Sequence, residues 1–334
     1  MHTITKLLLL LLGLLVIAYF FGEHPPMPTF ATAIASVPSE LVLLENNIRE
    51  SEKKVEGIKP NNEARIVWAD STKKVKTPVA ILYLHGFSAS QEEGAPVHTN
   101  IAKRFACNLY LARLEEHGID RKTTNDNMLY LTADNYQASA ERAYQIAKQL
   151  GDSVIVIGTS AGGAHTLFLA ARHPEIKAIV LYSPCIEIAA LGASLLDNNW
   201  GLQLARLMKS SEYNDIHPNN TFHQQYWTLH YRLEATVALQ NFLTNAITPA
   251  TFAKVKCPAY MAYYYKDEAR QDDIVSVAAM LQMFDQLGTP PAIRRKEAFP
   301  NSANHVIASY VLSKDWQSVQ QGTEKFLTEI VGLP

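Results

Sequence analysis

Hydrophobic and polar positions along the chain alternate between short strand-like runs, most of them apolar, and stretches of helical spacing. The runs cover residues 64–68, 79–84, 108–111, 154–157, 178–182, 258–265 and 293–299. Runs such as Val79-Ala80-Ile81-Leu82-Tyr83-Leu84 are apolar without alternation, as expected of parallel strands buried on both faces. Between them, residues 95–104, 135–150 and 275–287 repeat their apolar positions at the helical period. This alternation predicts an α/β fold built on a doubly wound, mostly parallel sheet. Ahead of it a helix is expected over 39–55, capped by Ser39, with Leu41, Leu44, Ile48 and Val55 on one face.

One region interrupts the alternation. From 187 to about 256 the pattern offers no strand; Leu191, Leu195, Leu202, Leu204, Leu207 and Trp200 indicate short amphipathic helices, and 234–245 indicates another. The expectation is an inserted helical cap at the carboxyl ends of the strands, where ligands of such sheets bind. It would act either as a lid or as an extra packing layer without mobility.

The first segment stands apart. Lys6 is followed by a run from Leu7 to Phe21 that is apolar apart from Gly13, with Glu23 beyond it. The run reads as a signal-peptide core or an uncleaved signal anchor with a transmembrane helix. The charge order puts the bulk of the protein outside. An exported protein is therefore expected, anchored to a membrane through its N-terminus or secreted after cleavage; the nearest cleavage-like string is Ala31-Thr32-Ala33. The domain plan is a signal segment over 1–26, a linker and helix over 27–60, and one domain over 61–334 with its cap at about 187–256.

Composition narrows the function classes. With 334 residues, 48% of them hydrophobic, the chain can bury a large core. A net charge of −2 and the lack of a long Lys/Arg stripe give no reason to expect nucleic acid. Cys107, Cys185 and Cys257 are too few and too scattered for a disulfide framework, a zinc site or a redox dithiol, and are expected as buried free thiols. Oligomeric state is left open.

The candidate chemistry centres on Gly158-Thr159-Ser160-Ala161-Gly162, which follows a β-branched run and opens a helical pattern. That order puts Ser160 on a sharp strand-to-helix turn with its hydroxyl exposed. The competing reading is a glycine-rich helix N-terminus. A serine hydroxyl needs a base, a group that orients the base, and donors for an oxyanion. The 79–84 run ends in His85-Gly86-Phe87-Ser88, which can aim the Phe87 amide into the site, and the Ala161 amide is the second donor. His305, after the last strand and the turn-rich 300–304, is the base and is expected to open an apolar helix. The acid is Asp272, in Asp272-Asp273-Ile274-Val275, in preference to Asp267.

With these residues the chain resembles serine hydrolases of the α/β-hydrolase superfamily, and among them carboxylesterases and monoacylglycerol-lipase-like esterases. The strings that carry the resemblance are Leu84-His85-Gly86-Phe87-Ser88-Ala89-Ser90, Ala112-Arg113-Leu114-Glu115-Glu116-His117-Gly118, the Ser160 turn, and Phe299 to His305. It spans roughly residue 64 to the C-terminus. It implies Ser160 as nucleophile, His305 as base, an aspartate between them, a helical cap, and a structural role for Arg113 and His117-Gly118 beside the site. The implied reaction is ester cleavage through an acyl-serine on a small-molecule or lipid ester, with no metal or organic cofactor. A thioesterase or acyltransferase, and a non-catalytic binding protein of this fold, are the alternatives.

Overall fold

The computed structural model describes residues 2–31 and 36–334. In chain order the strands are β1 (Arg65–Val67), β2 (Thr77–Leu84), β3 (Asn108–Leu111), β4 (Gly151–Thr159), β5 (Ala178–Tyr182), β6 (Tyr213–Asp215), β7 (His230–Arg232), β8 (Ala259–Tyr263), β9 (Tyr265–Asp267), β10 (Arg270–Gln271) and β11 (Arg294–Ala298). The α-helices are α1 (His2–Phe20), α2 (Leu41–Lys53), α3 (Val97–Arg104), α4 (Ala133–Leu150), α5 (Ala161–Arg172), α6 (Gly201–Lys209), α7 (Thr221–Tyr226), α8 (Glu234–Ala246), α9 (Pro249–Lys254), α10 (Val277–Gln286) and α11 (Trp316–Glu329).

Seven strands form one sheet in the order β1-β3-β2-β4-β5-β8-β11. Only β1 is antiparallel to its neighbour. Each of the seven strand-like runs of the sequence contains a strand of this sheet. Each face carries its own core: Tyr136, Tyr144, Leu167 and Phe242 belong to one, and Ile101, Val319, Phe326 and Leu327 to the other. Covering both faces removes the alternation that a half-exposed strand would need, so β4 buries every residue from Val154 to Thr159. The connection from β2 leads to β3 on one side, whereas β4 leads to β5 on the other. The crevice between the carboxyl ends of β2 and β4 is therefore the topological switch point.

Several ends differ from the sequence expectation for local reasons. α2 is capped by Glu40 and not Ser39, because the Glu40 carboxylate accepts from the amides of Val42 and Leu43. α4 starts two residues early, on a capping box between Thr132 and Asn135. No helix opens at His305: Ser309 bridges to Pro96 and the Tyr310 amide donates to the Ala95 carbonyl, so this apolar segment packs as turns ahead of α11. The region between β5 and β8 is largely helical and also contains the antiparallel β6–β7 ribbon.

The N-terminus corrects a further expectation. Among the described residues no helix is long and apolar enough to cross a membrane. The apolar run in α1 and the following residue would extend only about 22 Å at 1.5 Å per residue, against about 30 Å of hydrocarbon. This length contradicts the expected signal anchor, transmembrane helix, membrane partner and anchored localisation. Residues 32 and 33 of the cleavage-like string lie outside the described residues. The chain that follows α1 is tied to the body: the amides of Thr29 and Phe30 both donate to Asp134, and Phe30 packs against Phe168 and Phe242.

Candidate active site

Ser160 lies between the last residue of β4 and the first of α5, with φ 54° and ψ −119°. This left-handed backbone is costly for a non-glycine residue and persists only where neighbours impose it. Here the Ser160 amide donates to the Tyr182 carbonyl at 2.9 Å, and its carbonyl accepts from Cys185 at 2.9 Å. Both glycines of the turn are required by close approach. A β-carbon on Gly162 would lie 2.0 Å from the Leu84 carbonyl oxygen, and one on Gly158 would lie 2.3 Å from that of Gly162.

His305 and Asp272 meet from different loops. His305 Nδ1 and Asp272 Oδ2 are 2.6 Å apart, and both side chains are almost fully buried. The other oxygen of Asp272 accepts from the amides of Ile274 (3.0 Å) and Val275 (3.1 Å). Burial alone would raise the Asp272 pKa, but the charge and hydrogen bond of His305, with those two amides, hold it below its ordinary value. For His305 burial pulls downward and the Asp272 carboxylate outweighs it, leaving the imidazole pKa raised. His305 Nε2, on the opposite side of the ring, is buried and has no partner among the described residues. Asp267 is elsewhere: it sits on β9, is partly exposed, and pairs with Arg270. The β9–β10 ribbon is inserted between β8 and Asp272.

The turn after β2 is held from several directions. The Leu114 amide donates to His85 Nε2 at 3.0 Å, so the proton of this ring is on Nδ1 and donates to the Gly86 carbonyl at 2.9 Å. Burial drops the His85 pKa to about 4, which keeps the ring neutral. The Gly86 carbonyl and the Phe87 N–H belong to one planar trans peptide, so fixing the first aims the second the opposite way. Among the described residues neither the Phe87 nor the Ala161 amide has an acceptor. Ala161 is the first residue of α5, where the helix dipole favours negative charge.

The segment between β5 and β8, expected from the sequence as a cap, packs against the loops that carry these groups. The Thr228 amide donates to the Ser88 carbonyl at 2.7 Å, and Tyr231 packs edge-on against Phe87. Trp227 of the cap, Ala89 and the Val306 and Val311 side chains beyond His305 form one small apolar cluster. Arg113 makes two bonds to Glu52 of α2, at 2.7 and 3.0 Å, while the His117 ring stacks on Tyr136 and meets Phe87 edge-on. Cys107 and Cys185 are buried and free, and Cys257 is free and half-buried.

The sequence reading overlooked Glu93. In the string Gln91-Glu92-Glu93 it looks like part of a solvated face, yet it is 2% exposed and accepts from the Gly86 amide. No spacing rule marks such a residue; only the fold shows it.

Comparison with known proteins bears on the family and the fold. No family profile matches the chain. A thermostable monoacylglycerol lipase of Bacillus sp. (strain H-257) is 31% identical over 183 residues, which cover 54% of this chain and 68% of the lipase. The chain belongs to the lipase and esterase family of the α/β-hydrolase fold. This esterase-family protein is thus an ester hydrolase, and solved structures share its fold. One, from work on the metagenome-derived lipolytic enzymes LipS and LipT, has a TM-score of 0.65 at 19% identity, covering 81% of this chain and 99% of the other. The monoacylglycerol lipase of Paleococcus ferrophilus has a TM-score of 0.56 at 12% identity, covering 79% and 98%. Est1E of Butyrivibrio proteoclasticus, with ferulic acid bound, has a TM-score of 0.54 at 15% identity, covering 80% and 95%.

Proposed function

We propose that the protein cleaves carboxylic esters through an acyl-enzyme on Ser160. The observation that carries this reading is the buried His305–Asp272 pair at 2.6 Å, with the free Nε2 of His305 on the far side of the ring. In the proposed cycle His305 accepts the Ser160 proton as the hydroxyl attacks the ester carbonyl. Asp272 keeps the ring in the tautomer with Nδ1 protonated and stabilises the imidazolium. The Phe87 and Ala161 amides receive the oxyanion. His305 then protonates the leaving alcohol, and water activated by the same ring releases the acid. Every step uses a side chain or amide of this chain.

The substrate class proposed is a small or lipid ester, such as the monoacylglycerols named for its relatives. The segment at about 187–256 is proposed to cap the site within a domain spanning 61–334, preceded by 1–26 and 27–60. The lipase and esterase relatives do not favour a thioesterase or acyltransferase. The test is a panel of p-nitrophenyl and glycerol monoesters of graded chain length, assayed with wild type and Ser160→Ala. The wild type should turn over at least one class, and the variant should lose about 10⁴-fold or more in kcat. Retained turnover in Ser160→Ala would remove the serine mechanism.

A further inference from the structure

The Glu93 carboxyl group is buried against the turn that carries Phe87. Its Oε2 accepts from the Gly86 amide. A β-carbon on Gly86 would meet Glu93 Oε1 at 2.7 Å and Ser160 Cβ at 3.0 Å, so the Gly86 backbone is wedged between the Glu93 carboxylate and Ser160. The short helical turn bearing Glu93, Gln91–Gly94, is itself tightly seated. A β-carbon on Gly94 would lie 2.4 Å from the Tyr83 ring and 2.6 Å from His98. On the other side of Phe87, Ser88 has φ 62° and its carbonyl is tied to Thr228 of the cap.

Burying a carboxylate is expensive, and removing it would cost nothing if Gly86 needed no acceptor. Among the described residues no lysine or arginine pairs with Glu93; the titratable groups around it are Tyr83 from β2, against which His98 of α3 packs, Tyr136 from α4 and His305 from the loop after β11. We infer that Glu93 is a positioning residue: it clamps the Gly86–Phe87 turn and adds its charge to that of Asp272 around His305. The inference rests on the ester-hydrolase mechanism proposed above. Glu93 holds the peptide before Gly86 through its N–H, as His85 holds the following one through its C=O. The Phe87 amide is thereby aimed from both sides. Burial raises the Glu93 pKa to about 7, against the opposing pull of the Gly86 amide and of His305. Its charge is in turn one of the influences that raise His305.

The experiment compares Glu93→Ala, Glu93→Gln and Ser160→Ala on one ester, with kcat, KM, pH profile and thermal midpoint measured for each. Misaligning an oxyanion donor predicts that Glu93→Ala loses about 10²-fold in kcat, with KM within about threefold. Glu93→Gln keeps an acceptor for Gly86, so kcat should recover to within about tenfold of wild type. Its acid limb in kcat/KM should move to lower pH, because the charge that raises His305 is gone. Wild-type kcat in Glu93→Ala, or a lowered thermal midpoint with kcat of the folded fraction intact, would overturn the inference. If Glu93→Ala does not fold, an unmoved acid limb in Glu93→Gln overturns it instead. Turnover retained by Ser160→Ala would refute the underlying mechanism, a result separable from failure at Glu93.

Discussion

Ser160 sits at φ 54°, a conformation that costs a non-glycine residue about 1–3 kcal/mol. The hydrogen bonds to Tyr182 and Cys185 hold it there, and the proposed role gives the strain a use, since it lifts the hydroxyl off the strand end. The orienting acid can be tested by contrast. Asp272→Asn should lower kcat by about 10²–10⁴-fold, because the amide would favour the wrong imidazole tautomer. Asp267→Asn breaks only an exposed pair with Arg270 and should stay within about twofold. Steady-state kinetics of the two variants check both outcomes. The pH dependence follows from the directions of the shifts. The raised His305 pKa stabilises the fold below its ordinary value of 6.5, and that contribution is lost as pH rises through the folded value. The lowered Asp272 pKa stabilises above 3.8, and its contribution is lost as pH falls through the folded value. The proposed mechanism needs neutral His305, so kcat/KM of the wild type should rise along an acid limb lying above 6.5. Asp272→Asn should move that limb down. At this scale the sequence put forward Ser160 and His305 by their neighbours, and Asp272 by its apolar anchor, and the structure pairs His305 with Asp272. Glu93 was hidden because a glutamate beside another glutamate looks solvated until the turn is folded over it.

Among the elements, the strand-turn-helix unit β4–α5 tolerates no side chain at its crossing. Gly162→Ala places a β-carbon 2.0 Å from the Leu84 carbonyl oxygen, a backbone atom that cannot swing aside. The expected cost is about 3 kcal/mol or more, read from denaturant unfolding, and a change under 1 kcal/mol would contradict the crossing as described. The central strands were legible because burial on both faces leaves continuous β-branched and aliphatic runs. The β6–β7 ribbon was not. Tyr213-Asn214-Asp215 and His230-Tyr231-Arg232 hold three residues each and no apolar run. They are joined by polar contacts such as His230 to Asp215, and Arg232 to Glu212 and Glu234. The apolar segment after His305 has the composition of a helix, but its backbone bonds go to residues 95 and 96. Tertiary pairing overrode the local pattern there.

Across the whole molecule, the sheet brings together residues far apart in sequence. The Phe87 turn, Ser160, Asp272 and His305 come from the ends of β2, β4, β8 and β11. These ends lie at the carboxyl edge of the sheet, and the cap is tied to three of the loops through Thr228, Trp227 and the Ala189–Ile274 bond. The N-terminal expectation failed on length, since an apolar run that suits a signal core falls short of a bilayer. Order along the chain was enough to assemble the candidate site; the cap, with its exposed Leu191, Leu207 and Met208, holds no string that names a substrate. The most direct test of the central claim is covalent labelling with a fluorophosphonate, followed by peptide mass spectrometry and a parallel activity assay. One label per chain on Ser160, with ester hydrolysis lost in proportion to labelling, is the predicted result. Full hydrolysis after complete labelling of Ser160, or inactivation by a label on another residue, would contradict it.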